Sequence, residues 1–218
     1  MKKFFLACLL LLLVCVQPLY AALTKSDADV DEWAEIAQNA VREGAVYDVS
    51  THYTSALHID VALSSATAHT GTKVTVFASS KSSGDEDWTE LAEYVGPIGT
   101  ANPESLAGAE AAGQTVIEVA STVNYDGDGT KWIFLEDDTV ANSEMCRLES
   151  HVGNTSVTIT DALTNAHDAS DTLYSIADNK VVNIPIQYQR VKVEYDNTFD
   201  SNGATVHVRC RISMVTAL

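Results

Sequence analysis

Asn124-Tyr-Asp126-Gly-Asp128-Gly129 puts oxygen-bearing side chains at every second position and a glycine at the sixth, as the opening of an EF-hand calcium loop does. The match ends at the twelfth position, which is Leu135, with Glu136 one place late. Trp132-Ile-Phe-Leu then reads as strand where a helix should begin. An Asp/Gly turn between two strands accounts for the segment better. Asn124, Asp126 and Asp128 are the candidate ligands, and calcium is the one cofactor the sequence raises. His58 and Asp60 lie two apart on one strand face, near enough to share a metal or a proton, but no third ligand is identifiable. His167-Asp168 falls in an expected turn, which it would fix. No Gly-x-Ser-x-Gly elbow, His-Glu-x-x-His helix, P-loop or Cys-x-x-Cys pair occurs, so no enzyme is expected.

Trp88, Tyr94, Tyr53 and Trp132 could line a sugar-binding face, because aromatic planes stack on pyranose rings. Trp88 follows a turn and alternates with Glu90, Ala92 and Tyr94, which makes Trp88 and Tyr94 the candidate stacking pair. A core tryptophan is the competing reading. Asn154-Thr-Ser156 fits a glycosylation sequon.

The elements that hold these residues are mostly strands. Leu57, Ile59, Val61 and Leu63 alternate with polar neighbours, as do Val74 and Val76, and Val191, Val193 and Tyr195. In the last strand Val206, Val208, Cys210, Ile212 and Met214 face one way, and His207, Arg209, Arg211 and Ser213 the other. Asn202-Gly203 marks a tight turn before it. The pattern predicts an all-β fold, an immunoglobulin-like or jelly-roll-like antiparallel sandwich. A shift to Ala, Gly and short strands predicts a small inserted β-domain over 98–178, leaving the sandwich to 45–97 plus 179–218. Residues 22–44 are expected to hold one amphipathic helix. Over Asp29–Glu43, Val30, Trp33, Ile36, Ala37, Ala40 and Val41 form an i, i+3 stripe, with a Ser26/Asp29 cap before it and Gly44 after it.

Residues 1–21 read as a secretory signal peptide: Lys2 and Lys3, an apolar run from Phe4 to Val16, and a small residue at Ala21. Leu12-Leu13-Val14-Cys15 loosely matches a lipoprotein box, but bulky Val14 precedes the cysteine. Cleavage after Ala21 predicts an exported protein, extracellular or on the cell surface, without stable membrane insertion. It removes Lys2 and Lys3 and no acid, taking the formal charge from −17 to −19. That excess of acid argues against nucleic-acid binding and against anionic lipid surfaces. Cys146 and Cys210 remain, one candidate disulfide, but two buried thiols are the favoured reading because the cysteines sit in different candidate domains and Cys210 alternates with core positions.

Gly113-Gln-Thr-Val-Ile-Glu-Val-Ala, Ile133-Phe-Leu-Glu-Asp, Ser143-Glu-Met and Val157-Thr-Ile-Thr-Asp-Ala-Leu-Thr-Asn-Ala-His167 resemble a small β-module of bacteriophage and prophage structural proteins. His69-Thr-Gly-Thr-Lys-Val-Thr-Val, Ser83-Gly-Asp-Glu-Asp-Trp88 and Gln189-Arg-Val-Lys-Val-Glu-Tyr-Asp-Asn197 are similar to phage-type virion and tail-associated sandwich proteins. The resemblance covers most of 45–215 and implies a structural or surface-display role; the leader departs from it. The expected function is an exported, non-catalytic subunit that self-assembles into a filament, surface layer or shell. Trp33, Ile36 and Val41 on the helix would be the assembly face, giving a homo-oligomer or polymer. The alternatives are a secreted adhesin or glycan-binding module, and a viral virion or tail decoration protein.

Overall fold

The computed structural model describes residues 23–84, 87–122, 125, 131–200 and 202–217. These residues form strands β1 (Leu23–Ile36), β2 (Val41–Glu43), β3 (Tyr47–Asp48), β4 (Thr54–Leu63), β5 (Thr72–Ser79), β6 (Thr89–Gly96) and β7 (Pro103–Ser105). Strands β8 (Val116–Glu118), β9 (Trp132–Glu136), β10 (Glu144–Val152), β11 (Ser156–Ile159), β12 (Thr172–Ile184), β13 (Arg190–Asp196) and β14 (Val206–Ala217) follow, with one 3-10 turn at Val140–Asn142. A nine-stranded sheet runs β1-β14-β4-β12-β9-β10-β11-β8, with β7 also on β12. A five-stranded sheet runs β2-β13-β5-β6, with β3 also on β13. Neighbours pair antiparallel throughout.

The expected alternation sets the main core. Leu57, Ile59, Val61 and Leu63 of β4 and Val206, Val208, Cys210 and Ile212 of β14 are fully buried, as are Val74, Val76, Val191, Val193 and Tyr195. Each such aliphatic side chain contributes about 1.5–3 kcal/mol on leaving water. A second cluster gathers Leu106, Ile117, Tyr125, Ile133, Leu135, Leu148, Val157, Ile159 and Leu173. Strand β12 serves both regions: its start pairs with β7 and β9, and its remainder, from Ala177 to Ile184, pairs with β4. Gly203 has φ 86° before β14, but β13 and β14 belong to different sheets, so Asn202-Gly203 closes no hairpin.

The larger sheet folds back on itself. Strands β9 and β14 are three places apart in the sheet, which in a flat sheet means about 14 Å. Yet the rings of Phe134 on β9 and His207 on β14 are 5.1 Å apart. The register of β12 against β9 breaks between Tyr174 and Ala177, where the chain turns the corner. So β9 and β10 cover the side of β14 and β4 that faces away from the smaller sheet.

The helix expected over Asp29–Glu43 is absent: residues 23–36 are strand β1, hydrogen-bonded along β14. The three-residue spacing that imitated a helix comes from two bulges, between Asp29 and Asp31 and between Asp31 and Ala34. Each adds one residue and so shifts the two-residue period of the strand by one. Trp33 and Ile36 are buried in the main core at 6% and 3% exposure, so neither offers an assembly face; Val41 is exposed at 53% on β2. Gly44 ends no helix. The Asp31 carboxylate packs where its Cβ would be, and its amide donates to Val193 O at 2.7 Å.

Candidate functional site

Among the described residues, buried polar and titratable side chains gather in several clusters, three of which hold residues of catalytic or metal-ligating type. The first surrounds His167, whose backbone pairs with Glu110 across a bridge. Its side chain is wholly buried, with Nε2 3.2 Å from Glu144 Oε1 and Nδ1 3.0 Å from Asp171 Oδ2 and 3.6 Å from Asp137 Oδ2. Glu144 also accepts the amides of Thr164 and Asn165, and Asp171 that of Asp168. Burial pulls the imidazole pKa down, but the bonds and charges of Glu144 and Asp171 reverse this and leave it raised. Burial likewise opposes ionisation of Glu144, and His167 with the two amides overcomes it, so that its pKa is lowered. Asp137, His167 and Asp171 present atoms within 4.8 Å of one another, a spacing one ion could bridge. With a carboxylate on each ring nitrogen, however, an imidazolium meets the same geometry by itself. This cluster pins the turn after β11 to the ends of β9 and β10, the turn-fixing role read from the sequence.

The second cluster centres on Asp60, fully buried on β4. Arg209 reaches its Oδ2 with Nε at 3.2 Å and Nη2 at 2.9 Å, and Arg211 Nη2 lies at 3.3 Å. Asn179 donates to Oδ1 at 2.6 Å. The Arg209 guanidinium lies 4.6 Å from the Trp33 ring centre, and Trp33 packs 4.9 Å from Phe134. His58 does not share a ligand or proton with Asp60; its Nε2 contacts Ser213 Oγ at 2.9 Å. The signal that could have found this cluster is two i, i+2 polar pairs, His58/Asp60 and Arg209/Arg211, on the outward faces of two strands. Their pairing is what the sequence does not supply.

The third cluster has the order of a hydroxyl-nucleophile triad. His69 Nδ1 is 3.4 Å from Asp200 Oδ1, and Nε2 is 3.1 Å from Thr72 Oγ1. The hydroxyl is not free to be activated by the ring: Thr72 is fully buried and its Oγ1 donates to Asn197 Oδ1 at 3.2 Å. Asn197 in turn donates to Ala37 O and Ala204 O, so the set ties three loops together. Burial lowers the His69 pKa against the pull of Asp200.

The expected stacking pair is not brought together. β6 carries one extra residue between Ala92 and Glu90, opposite Val76 and Phe77. The bulge at Leu91 reverses the side on which the earlier residues point. Tyr94 packs against the main core, and burial raises its pKa. The Trp88 ring instead lies against Arg190 and Lys192, at 4.9 Å and 5.1 Å. Tyr53 is exposed and Trp132 half-buried. Cys146 and Cys210 are free thiols buried in different clusters, so the candidate disulfide is not formed. Of the candidate calcium loop, Asn124, Asp126 and Asp128 lie outside the described residues, as does the leader. Tyr125 between them is buried and donates its hydroxyl to Leu173 O at 3.0 Å.

No protein-family model matches the chain, and no curated protein does. Among solved structures it is similar to VP17, a capsid protein of bacteriophage P23-77, at 10% identity and a TM-score of 0.20, over 90% of this chain and 97% of that one. A structure of infectious bursal disease virus, Gx strain, matches at 7% identity and a TM-score of 0.24, over 89% of this chain and 41% of that one. The VP2 subviral particle of infectious bursal disease virus matches at 8% identity and a TM-score of 0.22, over 89% and 42%. These likenesses are too slight to carry a function.

Proposed function

We propose that this chain is an exported, non-catalytic structural subunit that assembles with copies of itself into an extracellular filament, surface layer or shell. The observation that supports it is how the reactive side chains are used. His167, Asp60 and the His69–Thr72–Asp200 set, buried polar groups of types that enzymes employ, each cross-link several strands or loops. Such networks make a β-fold rigid and specific at the cost of open chemistry.

The edges of both sheets fit controlled assembly. β1 is an edge strand with two bulges, and Asp27, Asp29, Glu32 and Glu35 are exposed along it. β6, the edge of the smaller sheet, has a bulge and the exposed Glu90 and Glu93. Acids and bulges of this kind stop strands from pairing indiscriminately. In this reading, screening or bridging cations relieve the repulsion and permit ordered contacts.

Electron microscopy of residues 22–218, with and without millimolar calcium and at raised salt, tests the proposal. Ordered filaments, sheets or shells are the expected result. Dispersed particles under every condition, at concentrations where surface subunits polymerise, would refute it.

A further inference from the structure

Where the larger sheet folds back, β14 forms one wall of a cleft of about 330 Å³ and β9 and β10 the other, with the 161–165 turn closing one end. Arg209 and Arg211 line the first wall, Trp132 and Arg147 the second, and Asp161 and Asn165 the turn. Three of the five arginines of the chain thus meet in one place on a protein of formal charge −17. Trp132 and Arg147 are directly opposite in the β9–β10 register, so they share a face. Trp132 also lines a second depression of about 430 Å³ with Lys131, Asn102 and Asp178. The half-buried indole therefore stands between two polar hollows, each large enough for one or two sugar rings.

The two guanidiniums of β14 are held in place. Asp60 fixes Arg209 and Arg211 from beneath, one carboxylate against two guanidiniums. Arg211 keeps 41% of its side chain exposed, and its Nε is buried without a hydrogen-bond partner. The exposed end of this planar guanidinium is suited to a carboxylate. Glu144 also borders the cleft, but His167, Thr164 and Asn165 occupy its oxygens. Asp161 and Asn165 add an acceptor and an amide, as ring hydroxyls require. A polyphosphate chain would have little use for an indole platform and would meet the acidic surroundings.

We propose that this cleft binds a carboxylate-bearing saccharide, with a sugar ring against Trp132 and the carboxylate on Arg211 and Arg147. The test is calorimetric titration of residues 22–218 with trigalacturonic acid and 3′-sialyllactose, using maltotriose and lactose as neutral controls. At least one acidic sugar should bind roughly tenfold or more tightly than its neutral control, a difference of about 1.4 kcal/mol. Arg211→Gln, in which Arg209 still pairs with Asp60, should lose about that factor when measured at a temperature where its own melt shows it fully folded. Trp132→Ala should abolish binding; Trp132→Phe, which keeps a ring in the fold, should retain part of it. Trp88→Ala, away from the cleft, should bind as the parent does. Silence with both acidic sugars, equal binding of acidic and neutral ones, or binding indifferent to Arg211→Gln would each overturn the proposal.

Discussion

His167 and Glu144 form a buried pair, Nε2 to Oε1 at 3.2 Å, with the opposite nitrogen of the same ring on Asp171. The charges facing the imidazole are Glu144 on β10, Asp171 just before β12 and Asp137 just after β9. Because the folded pKa of His167 is raised above 6.5, its stabilisation is complete below about pH 6.5 and fades as pH rises through the folded value. Glu144 is lowered from 4.5, so its share is complete above about pH 4.5 and is lost as pH falls through the folded value. His167→Gln should therefore cost most between about pH 4.5 and 6.5, on the order of 3 kcal/mol, and progressively less above neutrality. Thermal melts of both proteins across pH check this; a cost independent of pH would mean the ring is neutral.

His207 should act with the opposite sign. Its ring is buried beside Phe134, Nδ1 lies 2.8 Å from Ser64 Oγ, and burial lowers its pKa from 6.5 to about 4. Glu136 Oε1 is 3.4 Å from Nε2, but burial raises the pKa of that carboxyl and weakens any ion pair. A depressed histidine favours the fold fully above about pH 6.5, and that advantage drains away as pH falls toward 4, to a limit of roughly 3 kcal/mol. His207→Gln should flatten the acid side of the stability curve, whatever it does to the plateau. An acid limb as steep as that of the parent would assign the loss to other groups.

The strands with unbroken alternation are legible in the sequence. β4, β5, β13 and β14 each bury every second residue, and a period of two has no other common cause. What failed were the positions where a bulge inserts a residue. In β1 two of them give Val30, Trp33 and Ile36 a helical spacing; in β6 one of them moves Trp88 and Tyr94 to opposite sides. A bulge has no composition of its own and follows from the pairing partner. The His167 cluster was half visible, since the turn containing His167 was expected. Its acids come from positions 137, 144 and 171, which only the pairing of β12, β9 and β10 brings together. Likewise, Trp132 gave no local sign that three arginines would gather beside it.

Cys146 and Cys210 should behave as inert hydrophobes. Burial pushes the Cys146 thiol up to about 12, and burial also raises that of Cys210. At pH 8 only about one thiol in ten thousand is then ionised at Cys146, and the thiolate is the reactive form. Residues 22–218 should show no reaction with a thiol-specific disulfide reagent while native, and both thiols reacting in guanidinium. Rapid modification of the native protein, or an intact mass two daltons low, would contradict the free, buried state.

Asp60 should be the least replaceable acid in the larger sheet. Its carboxylate joins three strands, since Arg209 and Arg211 lie on β14 and Asn179 on β12, and it is fully buried. Asp60→Asn removes the charge that pairs with Arg209 beneath Trp33 and places an amide donor against guanidinium donors. Breaking one side of a buried pair costs about 3–5 kcal/mol, more than the pair itself contributes over an apolar replacement. The orphaned cation carries that cost, so removing it should recover part of the loss. Arg209→Met in the Asp60→Asn background should thus be more stable than Asp60→Asn alone, because the methionine still covers Trp33. Urea unfolding of the four proteins in this cycle gives the coupling directly. Additive losses would show that Arg209 reaches solvent when Asp60 is neutralised, and that Trp33, not the carboxylate, keeps it in place.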